Sequence, residues 1–350
     1  MADIPQFEHV PLDHPLIQIR LIYIPLIDEP LIDGENLHCR LQTFNLTDMH
    51  HSFTAVSYTW GVKANSRTIS LNASSFSVSD NLWLFLHHIS VREREPSMRA
   101  VPEPFKNRRK IIRWFWIDQI CIDQSRNTER NHQVTIMSDI YASAERVLVW
   151  LDCPANSSAS AVTPRTDRCI GESMHMITYI DEIAQCNYWN RLWIIQEIML
   201  AEEVTVLFGP LAECWSNVRY MVRSREDLQC PAIVTRKVIP SLMTNKYALH
   251  RALELFASHE CQDPRDKVYG LMGIVHKTER IEVDYKKTAA QVYWDAVAAF
   301  KARELKEPAR IIELGRDMGV TGQEEVCKGP ALEKFQNLFA GKHPVSVFQT

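Results

Sequence analysis

The sequence has no excess of charge of one sign and no long hydrophobic run. The first absence argues against binding of nucleic acid, and the second argues against a membrane span. Its 39 basic and 43 acidic side chains leave a formal charge of -4, which gives no strong attraction for nucleic acid. No segment reaches the roughly 18 uninterrupted apolar residues of a membrane-spanning helix, so no membrane span is expected. Residues 1–10 lack the basic and apolar parts of a signal peptide, which favours a cytoplasmic location.

Motifs for phosphate, dinucleotide and zinc binding are also missing. The chain has no Gly-x-x-x-x-Gly-Lys-Ser/Thr, no Gly-x-Gly-x-x-Gly and no His-Glu-x-x-His. Its nine cysteines are scattered without a Cys-x-x-Cys pair, so free thiols in a reducing compartment are expected. The only close histidines are the neighbours His50–His51 and His87–His88, whose side chains point apart on a strand or helix. No metal site is therefore expected.

What is present is the composition of a globular protein, with 46% hydrophobic and 23% charged residues. A chain of 350 residues is long enough for one large domain or two ordinary ones. We expect an α/β core with N-terminal β-hairpins over residues 1–210 and a helical extension packed on it over 211–305. Residues 306–350 are weakly periodic, and we expect a loosely ordered tail there.

Alternating apolar and polar residues predict two β-hairpins before the core, 17–24 with 37–42 and 68–71 with 76–78. Between them, residues 53–58 predict a buried strand that stops at Gly61. Ser79 precedes helical spacing from Leu82, as a capping residue should.

Further along, strands and helices alternate as a parallel sheet requires. Buried strands are predicted at 114–123, 146–151 and 203–209, the last strand of the chain, and helices at 130–144, 172–184, 215–224, 242–258 and 289–301. Ligands of such sheets bind beyond the carboxyl ends of the strands. Asp118 and Asp123 are therefore predicted at the same edge as Trp60.

Residues 188–197 predict a helix that carries rings, a cation and a carboxylate on an apolar background. Trp189, Trp193 and Gln196 fall on one face, and Glu197 follows Trp193 by four residues. A carboxylate held beside an indole and shielded from water suits a general acid or base, or a group that orients a sugar hydroxyl. The alternative is that Arg191 and Glu197 form ordinary surface ion pairs.

Four ordered stretches together resemble the heterokaryon-incompatibility (HET) domain of filamentous fungi. They are Phe53–Gly61, Trp116–Gln124, Met137–Tyr141 with Val147–Leu151, and Trp189–Glu197. The segment Arg265–Leu271 also resembles one that commonly follows the domain. The family is described as a trigger of programmed cell death when incompatible hyphae fuse, and the resemblance implies that role here.

HET domains are in turn distantly similar to TIR domains, which implies a flavodoxin-like α/β fold with a central, mostly parallel sheet and flanking helices. In this correspondence Ala55–Gly61 matches the first strand and loop of a TIR domain. The segment Trp193–Glu197 matches the helix whose glutamate is catalytic in TIR domains that hydrolyse NAD, so the resemblance implies Glu197 as the catalytic residue. Ile194 stands where those domains usually have cysteine.

Three functions remain as hypotheses. The first is an NAD glycohydrolase that needs no cofactor, with Glu197 as catalytic carboxylate and Asp118 and Asp123 orienting ribose or water. Its expected binding residues are Ser57, Tyr58, Trp60, Gly61, Arg191 and Trp193. The second is a non-catalytic signalling module that self-associates. The third is a small-molecule tailoring enzyme that uses the same carboxylates for a cyclisation, dehydration or isomerisation. In structural alternatives the tryptophans only pack in the core and the two aspartates cap the next helix.

Overall fold

A computed structural model describes most of the chain and divides it into two units. The described residues are 4–27, 37–50, 52–61, 66–91, 113–151, 179–209, 211–223, 246–300, 305–324, 330–339 and 341–348. The first unit comprises residues 1–129, 140–189 and 201–237, and the second comprises residues 130–139, 190–200 and 238–350. The predicted boundaries at 210 and 305 stay predictions.

The first unit is built on a mixed sheet of nine strands among the described residues. The strands are β1 Gln18–Tyr23, β2 His38–Asn45, β3 Thr54–Tyr58, β4 Ser66–Leu71, β5 Ser74–Ser79, β6 Trp114–Trp116, β7 Arg146–Leu151, β8 Val204–Phe208 and β9 Leu211–Cys214. Their spatial order is β5-β4-β2-β1-β6-β3-β7-β8-β9. The central strands β6, β3, β7 and β8 are parallel, and antiparallel pairs lie towards both edges. The α/β class is confirmed, whereas the TIR-like details stay a prediction.

The α-helices follow in chain order. They are α1 Asp80–Ser90, α2 Asp118–Cys121, α3 Asn127–Ser143, α4 Ile180–Ala184, α5 Ile194–Met199, α6 Trp215–Arg223, α7 Leu249–Phe256, α8 Asp266–Tyr269, α9 Ala289–Ala299, α10 Pro308–Asp317, α11 Pro330–Leu338 and α12 Pro344–Phe348. None of those in the described part of the chain is long and apolar enough to cross a membrane.

The parallel centre of the sheet explains the apolar runs of the sequence. Every residue of β3 and β8 is buried, because neighbouring strands and layers cover both faces of a parallel sheet. Both predicted hairpins are present, as the antiparallel pairs β1–β2 and β4–β5. The turn of the second hairpin has Asn72 and Ala73 at φ 52° and 65°, as a tight hairpin turn requires. The side-chain amide of Asn72 also bonds the backbone N–H and C=O of Leu41.

Helix α1 confirms its predicted cap, since the Ser79 hydroxyl accepts a hydrogen bond from the backbone N–H of Leu82 at 3.3 Å. The predicted strand at 114–123 is wrong beyond Trp116. The chain turns into α2 there, because the backbone N–H of Cys121 donates to the C=O of Ile117 at 2.7 Å. A carboxylate is favourable in the first turn of a helix, and Asp118 occupies that place.

The single helix predicted over 188–197 is also wrong. The structure has a short 3-10 helix at Asn187–Asn190 and then α5, with a break between them. At the break, the backbone of Glu260 donates to Asn190 at 2.6 Å and accepts from Leu192 at 2.8 Å. These two backbone bonds hold the chain in a bridge in place of a helical turn. Trp189 and Trp193 therefore do not share one helical face.

Three other expectations need correction. The strand at 203–209 is not the last, because β9 pairs antiparallel with β8 after it. The helix predicted at 242–258 begins only at Leu249 within the described residues. The tail forms helices instead of staying loose. Pro308 stands at the first position of α10, where its missing N–H costs nothing, and Phe335 of α11 is fully buried. Residues 152–178, with most of the helix predicted at 172–184, lie outside the described residues.

The second unit is helical and has an aromatic centre. Trp294 of α9 lies 5.5 Å from the ring of Phe335 and 6.4 Å from that of Phe348. Its indole N–H donates to Glu324 at 2.9 Å, so the one polar atom of the ring has a partner. Residues of the weakly periodic tail, such as Phe335 and Phe348, thus contribute to the packing of this unit.

Candidate functional site

Polar and aromatic side chains meet at the carboxyl ends of β3 and β6 in the first unit. We name the five residues Tyr58, Trp60, Asn81, Asp118 and Gln119 the strand-end cluster. The indole N–H of Trp60 donates to Asp118 at 2.7 Å, and the phenol of Tyr58 donates to the amide oxygen of Gln119 at 3.2 Å. Since β3 and β6 are parallel, the residues that follow them emerge at one edge. This confirms the predicted proximity of Asp118 and Trp60.

The turn after β3 is held from the start of α1. The Asn81 amide donates to the C=O of Thr59 at 2.6 Å and accepts from the indole of Trp150 at 2.8 Å. Gly61 has φ +76°, a conformation that glycine adopts without strain. The Asn81 side chain therefore holds the backbone just before Trp60, Gly61 makes the turn just after it, and the Trp60 ring remains partly exposed.

The chemical capacity of the strand-end cluster lies in Asp118. Its Oδ2 accepts from Trp60 and its Oδ1 accepts from the backbone N–H of Gln119 at 2.7 Å. Because the residue is only partly buried, its oxygens can also accept from a hydroxyl of a bound molecule. An indole ring beside such a carboxylate is a common arrangement for a sugar or a flat ring.

Two predicted binding residues of β3 face the core. Ser57 and Tyr58 are 1% and 2% exposed. The Ser57 hydroxyl lies 2.5 Å from the phenol oxygen of Tyr188, in a buried hydrogen bond. Their contact with a ligand stays a prediction, while their contribution to packing is visible.

Asp123 bonds residues of its own loop, and its predicted place at the same edge as Trp60 stays a prediction. Its Oδ1 accepts from the backbone and hydroxyl of Ser125 at 3.1 and 2.5 Å, and its Oδ2 lies 3.2 Å from Arg126. Burial raises the pKa of Asp123, but the bonds from Ser125 and the charges of His9 and Arg126 outweigh burial and leave the pKa below its usual value. The Asp123 carboxylate thus binds groups of its own loop, which precedes α3.

The remaining predicted residues, Arg191, Trp193 and Glu197, belong to the second unit. Glu197 lies on α5 and is 2% exposed, so it is not a surface carboxylate. The alternative of an ordinary surface ion pair therefore does not hold for Glu197. Arg191 forms the backbone bridge to Glu260. The indole N–H of Trp193 donates to Asp266 at 3.3 Å.

Asp266 is the centre of a polar network that the sequence did not indicate. Its Oδ1 accepts from the phenol of Tyr285 at 2.5 Å, and the guanidinium of Arg130 lies 4.0 Å from the centre of the Tyr285 ring. Burial raises the pKa of Asp266 to about 6, although the bonds from Tyr285 and Trp193 and the charge of Arg130 act in the opposite direction, and Asp263 adds to the rise. Burial of the Tyr285 phenol, together with the negative charge of Asp266, also raises the pKa of Tyr285.

A second feature missed from sequence is a buried ion pair in the first unit. Arg20 of β1 bonds both oxygens of Glu129, at 2.5 and 3.0 Å, and the two residues are 3% and 6% exposed. Arg20 also donates to the C=O groups of Cys121 and Val10. Burial raises the pKa of Glu129, but the bonds and charge of Arg20 lower it below its usual value. Arginine in a strand next to apolar residues was the one available signal.

Within the described residues, no group of three or more histidine, cysteine, aspartate or glutamate side chains is arranged to hold a metal ion. The five cysteines of that part of the chain, Cys39, Cys121, Cys186, Cys214 and Cys261, are free. Burial raises the pKa of the Cys39, Cys121 and Cys261 thiols to about 12. Such thiols remain protonated at neutral pH and are poor nucleophiles.

Comparison with known proteins identifies the segment that holds the candidate residues. Residues 53–197 match the family described as heterokaryon incompatibility protein (HET). This stretch, named the HET segment below, is the part of the chain that is similar to the HET family. It is also similar to heterokaryon incompatibility protein 6, OR allele, of Neurospora crassa, with 24% identity over 384 residues that cover 86% of this chain and 54% of that protein. The chain thus spans about half the length of this curated relative. No solved structure matches it.

The HET segment contains all the residues that the sequence analysis selected, from Ser57 to Glu197. It does not contain Arg20, Asp266 or Tyr285. The groups that hold Glu129 and Trp193 therefore come from outside the segment that matches the family. No sequence motif points to the partners of Glu129 and Trp193, because the bonded residues lie far apart in the sequence.

Proposed function

We propose that this protein acts in heterokaryon incompatibility and that it does so by cleaving NAD between nicotinamide and ribose. The family match and the name of the Neurospora crassa relative support the first part. The second part depends on one observation. The carboxylate that the TIR resemblance marks, Glu197, is 2% exposed, as a group shielded from water must be. A cytoplasmic location is part of the proposal.

The reaction needs a negatively charged carboxylate to stabilise the transition state, and the leaving nicotinamide needs no general acid. The bond between ribose C1′ and the pyridinium nitrogen breaks, and its electron pair leaves with nicotinamide. A water oxygen adds to C1′, and the proton of that water is released, so that the products are nicotinamide, ADP-ribose and a proton. In the transition state C1′ carries positive charge, which a buried carboxylate stabilises while it accepts from the ribose hydroxyls.

Trp193 supplies the second element of the proposed site in the same unit. It lies one helical turn before Glu197, whose backbone N–H donates to its C=O at 3.3 Å. Its ring is partly exposed, and the bond to Asp266 restricts its rotation. An indole held in this way offers a stacking surface for the nicotinamide or the adenine ring. Ligand binding by Asp118 and Trp60 of the strand-end cluster is proposed separately, from their position at the strand ends.

The direct test is release of nicotinamide from NAD by the purified full chain, followed by chromatography. We expect Glu197→Gln to lower the rate about 100-fold or more, because it removes the charge and keeps the shape. Glu279→Gln is the matched control. It removes another buried carboxylate of the second unit, one that accepts from the backbone of Leu249 at 2.8 Å, and should leave the rate unchanged.

Other results would favour the other hypotheses. Intact NAD with the wild-type chain in its self-associated form, together with signalling by Glu197→Gln, would overturn the enzymatic part and leave a non-catalytic module. Turnover of a different small molecule that is lost in Asp118→Asn but not in Glu197→Gln would favour a tailoring enzyme centred on the strand-end cluster.

A further inference from the structure

Two cations of the second unit converge on a single backbone oxygen. The ammonium of Lys246 donates to the C=O of Gly273 at 2.5 Å, and the guanidinium of Arg280 donates to the same oxygen at 3.2 Å. Arg280 also donates to the C=O of Val275 at 3.2 Å. Both side chains are partly exposed, so their free N–H groups can be reached from solvent.

The backbone fixes this convergence. The segment around Tyr247 forms a parallel bridge with Val275, in which Tyr247 donates to Ile274 at 2.8 Å and accepts from His276 at 3.0 Å. Lys246 and Arg280 flank that bridge in the sequence. Their approach is therefore built into the fold and does not depend on two long side chains meeting by chance.

The pair has no close counter-ion in the part of the chain that the structure describes. Among the described residues, no carboxylate lies within 4.0 Å of Lys246 or Arg280, whereas Lys287, for comparison, lies 2.7 Å from Asp295. Burial and the charge of Arg280 lower the pKa of Lys246, and burial lowers the pKa of Arg280. The exposed carboxylate of Asp139 raises both pKa values, so it screens the pair only in part.

Capping of the carbonyls at the end of the 3-10 helix Met272–Ile274 uses one N–H of Lys246 and two of Arg280. It does not use the others. An ammonium has three N–H donors and a guanidinium five, and the carbonyls of Gly273 and Val275 accept only three of these eight. Five donors on two adjacent positive groups fit an anion with several oxygens, and a guanidinium is suited to bind two of them at once.

We propose that Lys246 and Arg280 form a binding site for a phosphate or pyrophosphate group. A pyrophosphate bridges two cations better than a carboxylate does, because it carries more charge and more acceptor oxygens. The site goes beyond the proposed NAD cleavage, since binding of an inorganic anion does not require turnover. Both assignments can therefore fail independently.

The experiment is calorimetric titration of the full chain with inorganic pyrophosphate at low ionic strength, with sodium chloride at matched ionic strength as the blank. We expect Lys246→Met and Arg280→Met each to weaken binding about tenfold or more, as loss of a charge-assisted hydrogen bond does. Arg280→Lys keeps the charge and should retain part of the affinity. Lys287→Met removes one positive charge whose partner is Asp295, and should leave binding unchanged.

Asp139→Asn provides a test that does not threaten the fold, because the residue is exposed. Removing this nearby negative charge should tighten pyrophosphate binding severalfold, an effect that purely structural cations would not produce. Repeating the titration with NAD and with nicotinamide riboside, which has no phosphate, identifies the source of the anion. No binding by the wild-type chain, equal binding by the Lys246 and Arg280 variants, or equal weakening in Lys287→Met would overturn the proposal.

Discussion

The indole of Trp60 and the carboxylate of Asp118 are joined by a 2.7 Å hydrogen bond at the ends of two parallel strands. Both side chains are partly exposed, so we expect a coupling free energy of about 1 kcal/mol, below that of a buried charged pair. A double-mutant cycle with Trp60→Phe and Asp118→Ala, followed by urea unfolding, measures it. Trp83→Phe is the control and should show no coupling to Asp118→Ala. Equal coupling in both cycles would contradict the pairing.

The Arg20–Glu129 pair should contribute strongly to stability, because loss of either partner leaves a buried charge uncompensated. We expect Arg20→Met to lower the free energy of unfolding by about 3 to 5 kcal/mol. Arg67→Met is the matched control. It breaks a 2.7 Å pair with Asp80, whose partners are 45% and 40% exposed, so the loss should stay below about 1 kcal/mol. Similar losses in the two variants would show that burial does not govern the effect.

The pKa of Asp266 makes stability depend on pH in a defined direction. Its pKa is about 6 in the folded chain, whereas the ordinary value of 3.8 applies to the unfolded chain, so the folded chain holds the proton more tightly. The group stabilises the fold fully below pH 3.8, and this contribution is lost as pH rises through about 6. The loss amounts to about 3 kcal/mol at most.

Unfolding in denaturant at several pH values measures this effect as a difference between proteins. Asp266→Asn cannot titrate, so the wild-type chain should lose stability relative to it between pH 4 and 6 and not above pH 7. Asp263, Tyr285, Arg130 and Arg265 remain unchanged in both proteins and cancel in the difference. Parallel profiles for the two proteins would contradict the raised pKa.

Gly273 has no room for a side chain. A Cβ there would lie 2.4 Å from the amide oxygen of Gln196, 2.8 Å from the Cβ of Ser138 and 3.1 Å from a methyl group of Leu200. The amide can rotate away, but Ser138 cannot, so we expect Gly273→Ala to cost about 1 to 3 kcal/mol. Gly319→Ala meets no atom within 4 Å and should cost about 1 kcal/mol through its φ of +74° alone. Thermal or urea unfolding compares the two, and an equal cost would contradict the crowding at Gly273.

Elements that depend on neighbours in sequence could be predicted, and those that depend on distant partners could not. Ser79 caps α1 through a residue three positions away, so spacing alone located the helix. The break before α5 is set by the backbone of Glu260, about seventy residues later, and no local pattern reveals it. The overlong prediction for β6 has a different, local cause, because the aspartate that begins α2 also resembles a residue at the end of a strand.

The candidate site divides in the same way. Trp60 and Asp118 were predicted together because the ends of parallel strands must meet. Asp266 and Tyr285 were missed, because a tyrosine and an aspartate nineteen residues apart are informative only when burial brings them to 2.5 Å. Asp123 accepts from the hydroxyl and backbone of Ser125 in its own loop, and its place at the same edge as Trp60 stays a prediction.

The central claim of the proposed function is that this chain acts by consuming NAD through Glu197. The most direct measurement is the NAD content of fungal hyphae after induced expression of the wild-type chain or of Glu197→Gln at equal protein levels. We expect NAD to fall before the cells die with the wild-type chain, and to stay constant in surviving cells with the variant. Death without NAD loss, or equal NAD loss with Glu197→Gln, would contradict the account.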